Sequence, residues 1–194
     1  VPNSQPDIAT FAHSSVTHLS LSSIVRLGGM VFNPGADGFS LTTVAGSITF
    51  YGAGVVNNSG RMQFFNLVGG PAFQGIGFLN SSSAGEATTY NVGAGGSVDF
   101  DNFATAGSAN FVLQGTPEDR AVIYFFGSSS GGRSTAASGT FTVLKGGFVI
   151  FGSATAGNAT FDVAGGNMEF PPQGEGGQRL SDCHEGGNVV FGSE

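Results

Sequence analysis

The chain repeats itself. Four segments align on a run of small residues with a glycine at its centre and an aromatic just beyond. They are Ser82-Ser83-Ala84-Gly85-Glu86-Ala87-Thr88-Thr89-Tyr90 and Ala104-Thr105-Ala106-Gly107-Ser108-Ala109-Asn110-Phe111. The others are Ala136-Ala137-Ser138-Gly139-Thr140-Phe141, read as a shortened copy, and Ala154-Thr155-Ala156-Gly157-Asn158-Ala159-Thr160-Phe161. A short hydrophobic run precedes each: Ile76-Gly77-Phe78, Val98-Asp99-Phe100, Ile123-Tyr124-Phe125 and Val149-Ile150-Phe151. Such self-similarity is the signature of a solenoid, whose single unit cannot bury its apolar face until a neighbour stacks on it. Glycine-to-glycine steps of 22 (Gly85 to Gly107), 32 (Gly107 to Gly139) and 18 (Gly139 to Gly157) give a unit of about twenty residues with loop insertions. Two polar excursions, at 115–120 and 128–134, account for the longest step.

Within a unit the pattern is that of short strands. In Ala159-Thr160-Phe161-Asp162-Val163 apolar and polar residues alternate at period two, which sends Phe161 and Val163 to one side and Thr160 and Asp162 to the other. The pairs Gly95-Gly96, Gly146-Gly147 and Gly165-Gly166 supply positive φ at tight corners. No segment carries a helical apolar stripe with capping residues. The reading is an all-β parallel β-helix (β-solenoid) in which the recurring phenylalanines stack as an internal ladder.

Composition agrees. Charged residues make up 10% of the chain, well under the roughly 25% of an average soluble domain, while 19 Phe argue for a packed interior over disorder. The net charge of −7 disfavours nucleic acid, whose phosphates need a Lys/Arg stripe. Cys183 is the only cysteine, so no intrachain disulfide framework exists. No apolar run approaches the roughly 18 residues of a membrane helix.

The whole of 1–194 reads as a single solenoid, with irregular coils or a cap over 1–60, regular repeats over 61–169, and a polar loop with a restarted terminal coil over 170–194. The restart is Gly187-Asn188-Val189-Val190-Phe191-Gly192-Ser193, which copies Gly147-Phe148-Val149-Ile150-Phe151-Gly152-Ser153. It leads to the expectation of a truncated array or of self-association through terminal coils.

Val31-Phe32-Asn33-Pro34-Gly35-Ala36, the stretch 48–60 and the recurrent Phe…Ala-Thr-Ala-Gly…Phe motif of 78–90, 100–111 and 151–161 resemble bacterial autotransporter-type passenger regions with β-strand repeats. The resemblance spans most of the chain. It implies export to the cell surface or the extracellular space, a right-handed β-helix, and a stalk, adhesin or matrix role. The outward Thr, Ser and Asn faces are expected to contact surface glycans, neighbouring rods or a surface. It carries no catalytic or cofactor-binding residues.

The residues themselves offer few chemical candidates. Asp99 and Asp101 flank Phe100 and are expected to point outward about 7 Å apart, with Asp162 placed comparably on a later coil and Glu118 and Asp119 in a nearby insertion. Together they form a candidate Ca²⁺ or acid/base set, against the plainer reading of solvated carboxylates. A carbohydrate-active enzyme would bring them to a basic residue such as Arg120, Arg133 or Lys145. His13, His18 and His184 lack the paired spacing of a metal site. Asp182-Cys183-His184-Glu185 is expected to be a polar loop rather than a cysteine active site. The expected function is a non-enzymatic structural or adhesive segment, with a polysaccharide lyase or hydrolase as the alternative. Ice or mineral binding by a flat Thr array ranks below both.

Overall fold

The computed structural model describes residues 2–69, 74–128, 131–170, 180–184 and 186–191. Its regular elements are all strands. In chain order they begin β1 (Ile8–Phe11), β2 (His18–Leu21), β3 (Ile24–Phe32), β4 (Ser40–Thr43), β5 (Ser47–Asn57) and β6 (Gln63–Leu67). The middle of the chain supplies β7 (Gln74–Phe78), β8 (Thr88–Val92), β9 (Gly96–Phe100), β10 (Asn110–Leu113), β11 (Ala121–Phe126) and β12 (Thr140–Val143). Last come β13 (Gly147–Gly152), β14 (Thr160–Ala164), β15 (Asn167–Phe170), β16 (Leu180–His184) and β17 (Asn188–Phe191).

Odd and even strands separate into two sheets. One runs β1-β3-β5-β7-β9-β11-β13-β15-β17 and the other β16-β14-β12-β10-β8-β6-β4-β2, with every ladder parallel. Each strand therefore pairs with its counterpart one turn away, giving a β-solenoid of about seven turns at about 24-residue spacing. Strands β1 to β5 belong to the same two sheets as the rest. No helix of the described residues is long and apolar enough to cross a membrane.

A third wall closes the coil. Isolated parallel bridges link Gly54, Ser83, Thr105, Thr135 and Thr155 in succession. In the first coils the same wall is regular strand: Ile8–Phe11 pairs with Gly29–Phe32, which pairs with Gly54–Asn57 after a bulge between Leu27 and Gly29. Further on it shrinks to one bridge per turn, flanked by buried small residues such as Ala104 and Ala106, or Ala154 and Ala156. The reason lies in the interior, which aromatic rings from the other two walls fill. Phe50, Phe78, Phe100, Phe125, Phe151 and Phe170 stack at 4.7–5.2 Å in one ladder. Phe65, Tyr90, Phe111, Phe141 and Phe161 stack at 4.7–4.9 Å in a second. Both spacings match the separation of hydrogen-bonded strands. The two ladders meet edge-to-face at 5.9–6.0 Å, the other favourable aromatic geometry. Beyond Val55 the buried residues that face them from the third side are Ala or Ser.

The third wall also corrects the alignment of the repeats. The Thr105–Thr135–Thr155 bridges place Ala137, not Gly139, opposite Gly107 and Gly157. The hydroxyls of Ser83, Thr105, Thr135 and Thr155 accept from the N–H two residues on, at Gly85, Gly107, Ala137 and Gly157. All four of these corner residues have positive φ. The copy at 134–141 is thus full length, and the unit is nearer 24 residues than twenty. Glycine was the wrong marker because one coil places alanine at the corner. At the corner leading into the odd strands, Gly95, Gly146 and Gly165 adopt φ of 71°, 74° and 76°, as their pairs suggest.

A second correction falls near the carboxyl end. Leu180–His184, expected as part of a polar loop, is strand β16 and pairs in parallel with β14. Its side chains, Cys183 and His184 included, lie outside the described residues, as do 171–179 and Glu185. Beyond it, β17 joins β15 in register, Asn167 to Asn188 and Phe170 to Phe191.

Candidate functional site

Alternation along each strand leaves two contrasting outer faces. On the even-strand sheet the outward positions are mostly hydroxyls and amides, interrupted by Phe64, Val112 and Asp162. Thr89, Asn110, Thr140 and Thr160 lie in one cross-strand row, and Asn66, Asn91, Val112, Thr142 and Asp162 in the next. Asn91 Nδ2 donates to Asn66 Oδ1 at 2.8 Å, and Asn66 Nδ2 to Ser40 Oγ at 2.9 Å, an amide ladder one coil per rung. Thr140 and Thr142 form a Thr-x-Thr pair, but Asn110 and Val112 stand beside it on one side and Thr160 and Asp162 on the other. The Asn57-Asn58 pair, whose sequence suggests a turn or a stacked amide ladder, takes the first of these. Buried Asn57 staples a turn, its Nδ2 donating to the carbonyls of Arg61 and Ala87 at 2.9 and 3.0 Å.

The odd-strand sheet is less uniform. Its outward row through Thr49, Gly77, Asp99, Tyr124, Ile150 and Glu169 mixes hydroxyl, carboxylate and apolar groups. Strand β7 places glycine at both outward positions, Gly75 and Gly77, and the missing side chains open a trough of about 340 Å³. Thr49, Leu79, Ser97, Asp99, Asp101 and Phe126 stand around it. Ser97 is only 8% exposed, and its covered hydroxyl has no hydrogen-bond partner among the described residues. A Cβ on Gly75 would lie 2.5 Å from that Oγ, so Gly75 must stay bare for Ser97 to sit there. A Cβ on Gly77 would meet only Leu79 and Thr49 side chains at 3.4 Å or more, an ordinary contact. Tyr124, paired in register with Asp99, stacks on Phe126 at 5.2 Å between ring centres.

Asp99 and Asp101 thus share one trough, as their spacing around Phe100 suggests. Burial and the Asp101 carboxylate together push the Asp99 carboxyl up to about 6. Asp101 Oδ1 accepts from the Asn102 N–H at 2.7 Å, which fixes the corner after β9. Asp162 is not with them. It lies on β14 of the other sheet, beside Thr142 and Asp182. The local pattern around Phe161 resembles that around Phe100, but strand parity sends the two to different walls. Glu118 and Asp119 are exposed at a separate corner, where Thr116 and Asp119 close a turn. Arg120 lies over the Phe148 ring at 4.2 Å, and no basic residue stands among those lining the trough.

Among the described residues no group of three or more His, Cys, Asp or Glu side chains could hold a metal ion. His13 contacts Asp37 at 2.7 Å on the surface, and Asp37 also accepts from the Ser14 N–H. That backbone bond, with His13 beside it, lowers the Asp37 carboxyl. Sequence reading identified the two aspartates and missed Ser97, Gly75, Gly77 and Phe126. A signal was present: Gln74-Gly75-Ile76-Gly77-Phe78 puts glycines at outward positions inside a strand, where glycine often marks close approach by another group. No family model, no curated protein and no solved structure matches the chain.

Proposed function

We propose that the chain is a non-enzymatic structural or adhesive segment of a bacterial surface or extracellular protein, resembling the passenger regions of autotransporters. One observation carries this reading: two aromatic ladders and two parallel sheets, closed by a third wall of single bridges, run in register through successive coils. A solid interior of this kind makes a stiff spacer, because bending would unstack rings and break parallel ladders together. The outward rows place Thr and Asn side chains at strand spacing in most coils, suited to many weak contacts with a surface or a like rod. β1 and β2, outermost in their sheets, present strand edges to whatever lies beyond them, further chain or a neighbouring molecule. End-to-end association follows as the specific form of assembly. Electron microscopy and sedimentation of the purified chain test it, with linear assemblies expected as concentration rises. Compact monomers at every concentration refute the filament, and absence of the chain from labelled surface and secreted fractions of intact cells refutes the location.

The alternative, a polysaccharide-cleaving enzyme, is favoured by one feature. A carboxyl pushed up to about 6 by burial, with a second carboxylate in the same trough, is the kind of arrangement glycosidases use for an acid and its partner. Release of reducing ends from neutral or acidic polysaccharides, abolished by Asp99→Asn, would establish it. The structural reading expects none.

A further inference from the structure

The trough on the odd-strand sheet has the chemistry of a sugar site. Its floor is the bare backbone of Gly75 and Gly77. Ser97 closes the floor, more than nine-tenths buried, its hydroxyl oxygen covered and out of reach of the trough's contents. Asp99 and Asp101 supply acceptors at one wall and Thr49 a hydroxyl at another. Water satisfies these groups, but it leaves Phe126 and Leu79 uncovered. Phe126 is 40% exposed, and Tyr124 holds it in place by stacking. The occupant therefore needs hydroxyls on its edge and an apolar face.

We propose that this trough binds a neutral pyranose unit of a polysaccharide. The C–H face of the ring lies on Phe126, and the ring hydroxyls bond Thr49 and the two aspartates. Neutrality follows from the lining. With Asp99 and Asp101 present and no basic side chain among the described residues that line the trough, a uronate carboxylate would be repelled. The site rests on the adhesive half of the function proposed above and gives it a ligand. It does not depend on assembly into filaments.

Calorimetry with cello-, laminari- and mannohexaose tests the proposal on the full chain, with a polygalacturonate oligomer and calcium chloride as comparators. Saturable binding of at least one neutral hexaose is expected. Gly77→Val, which fills the trough at a position open to a side chain, should weaken it at least about tenfold while leaving circular dichroism and Tm intact. Phe126→Ala should weaken it as well. The proposal is overturned if none of the neutral sugars binds, if Gly77→Val and Phe126→Ala leave binding unchanged, or if only polygalacturonate or Ca²⁺ occupies the trough. Loss of sugar binding with surface location and assembly intact removes this site and leaves the structural reading standing.

Discussion

Ala137 occupies a corner where three other coils have glycine, at φ 50° beside Gly85, Gly107 and Gly157. An L-residue pays about 1–2 kcal/mol for the left-handed region, partly offset by the larger chain entropy that glycine loses on folding. Ala137→Gly is therefore expected to stabilise by about 0.5–1 kcal/mol, seen as a rise in the urea midpoint. The reverse change, Gly157→Ala, should lower it, since the new Cβ would also lie 3.0 Å from the Ala137 carbonyl oxygen. Ser134 sits where neighbouring coils have Ala104 and Ala154, fully buried and with an unsatisfied hydroxyl. Ser134→Ala keeps the volume nearly constant and removes the orphan, so a gain of about 1 kcal/mol is expected in the same measurement. Asp99 gives a pH signature. Its folded value near 6 lies above the ordinary 3.8, so the folded chain binds the proton more tightly. Its contribution is favourable at low pH and is lost as pH rises from about 4 to about 6. Asp99→Asn should match the parent near pH 4 and exceed it at pH 7, by on the order of 1 kcal/mol after allowance for the exposed part of the carboxyl. The lowered carboxyls of Asp7 and Asp37 act in the opposite sense below that window and cancel in the comparison.

At the scale of elements, connection lengths vary while the ladders keep phase. Phe111 pairs with Phe141, thirty residues on, yet Val149 pairs with Met168 after only nineteen. The extra length of the longer coil lies partly in an excursion closed by the antiparallel bridge between Gly127 and Arg133. From Phe100 to Thr105 the preceding coil crosses the same corner in five residues, and from Phe125 to Thr135 this one takes ten. Deleting Ser128–Gly132 would equalise them. Ring stacking from Phe100 through Phe125 to Phe151 and the parallel ladders on both sides hold the register without the excursion. The deletion is expected to leave the far-UV spectrum unchanged and shift stability by less than about 1 kcal/mol, the scale of a modest change in loop closure. Aggregation or loss of β signal in the deletion variant would show that the excursion sets the register.

Over the whole molecule, each coil touches only the coils before and after it, so stability is a chain of nearest-neighbour terms. Burial is graded accordingly. β1 and β2 alternate between exposed and half-buried residues, with Ile8 48% exposed, whereas β8 and β10 to β13 alternate between buried and half-exposed ones. Sub-global opening should therefore begin at the first coils. In hydrogen exchange, amides of β1 and β2 are expected to exchange first and those of β8 to β13 last, with protection rising along the chain between them. Uniform protection from β1 to β13 would mean that the coils open as one unit.

Much of this architecture is legible in the residues. The recurrence of Phe after small residues, period-two alternation and paired glycines at Gly95, Gly146 and Gly165 determine strands, corners and an aromatic interior. They suffice because inward or outward placement within a strand is a local property. What one coil sets beside the next is not local. It depends on the length of every connection between them, and one coil can hide its phase by placing Ala137 where others have glycine. Strand β16 forms from a polar run because β14 offers it a ladder, and Asp162 departs from Asp99 because the chain has crossed to the other wall. The trough exists only where Gly75 and Gly77 of one turn lie beside Ser97 and Asp99 of the next. That juxtaposition belongs to the stacked coils, since no single stretch of sequence contains both sides of it.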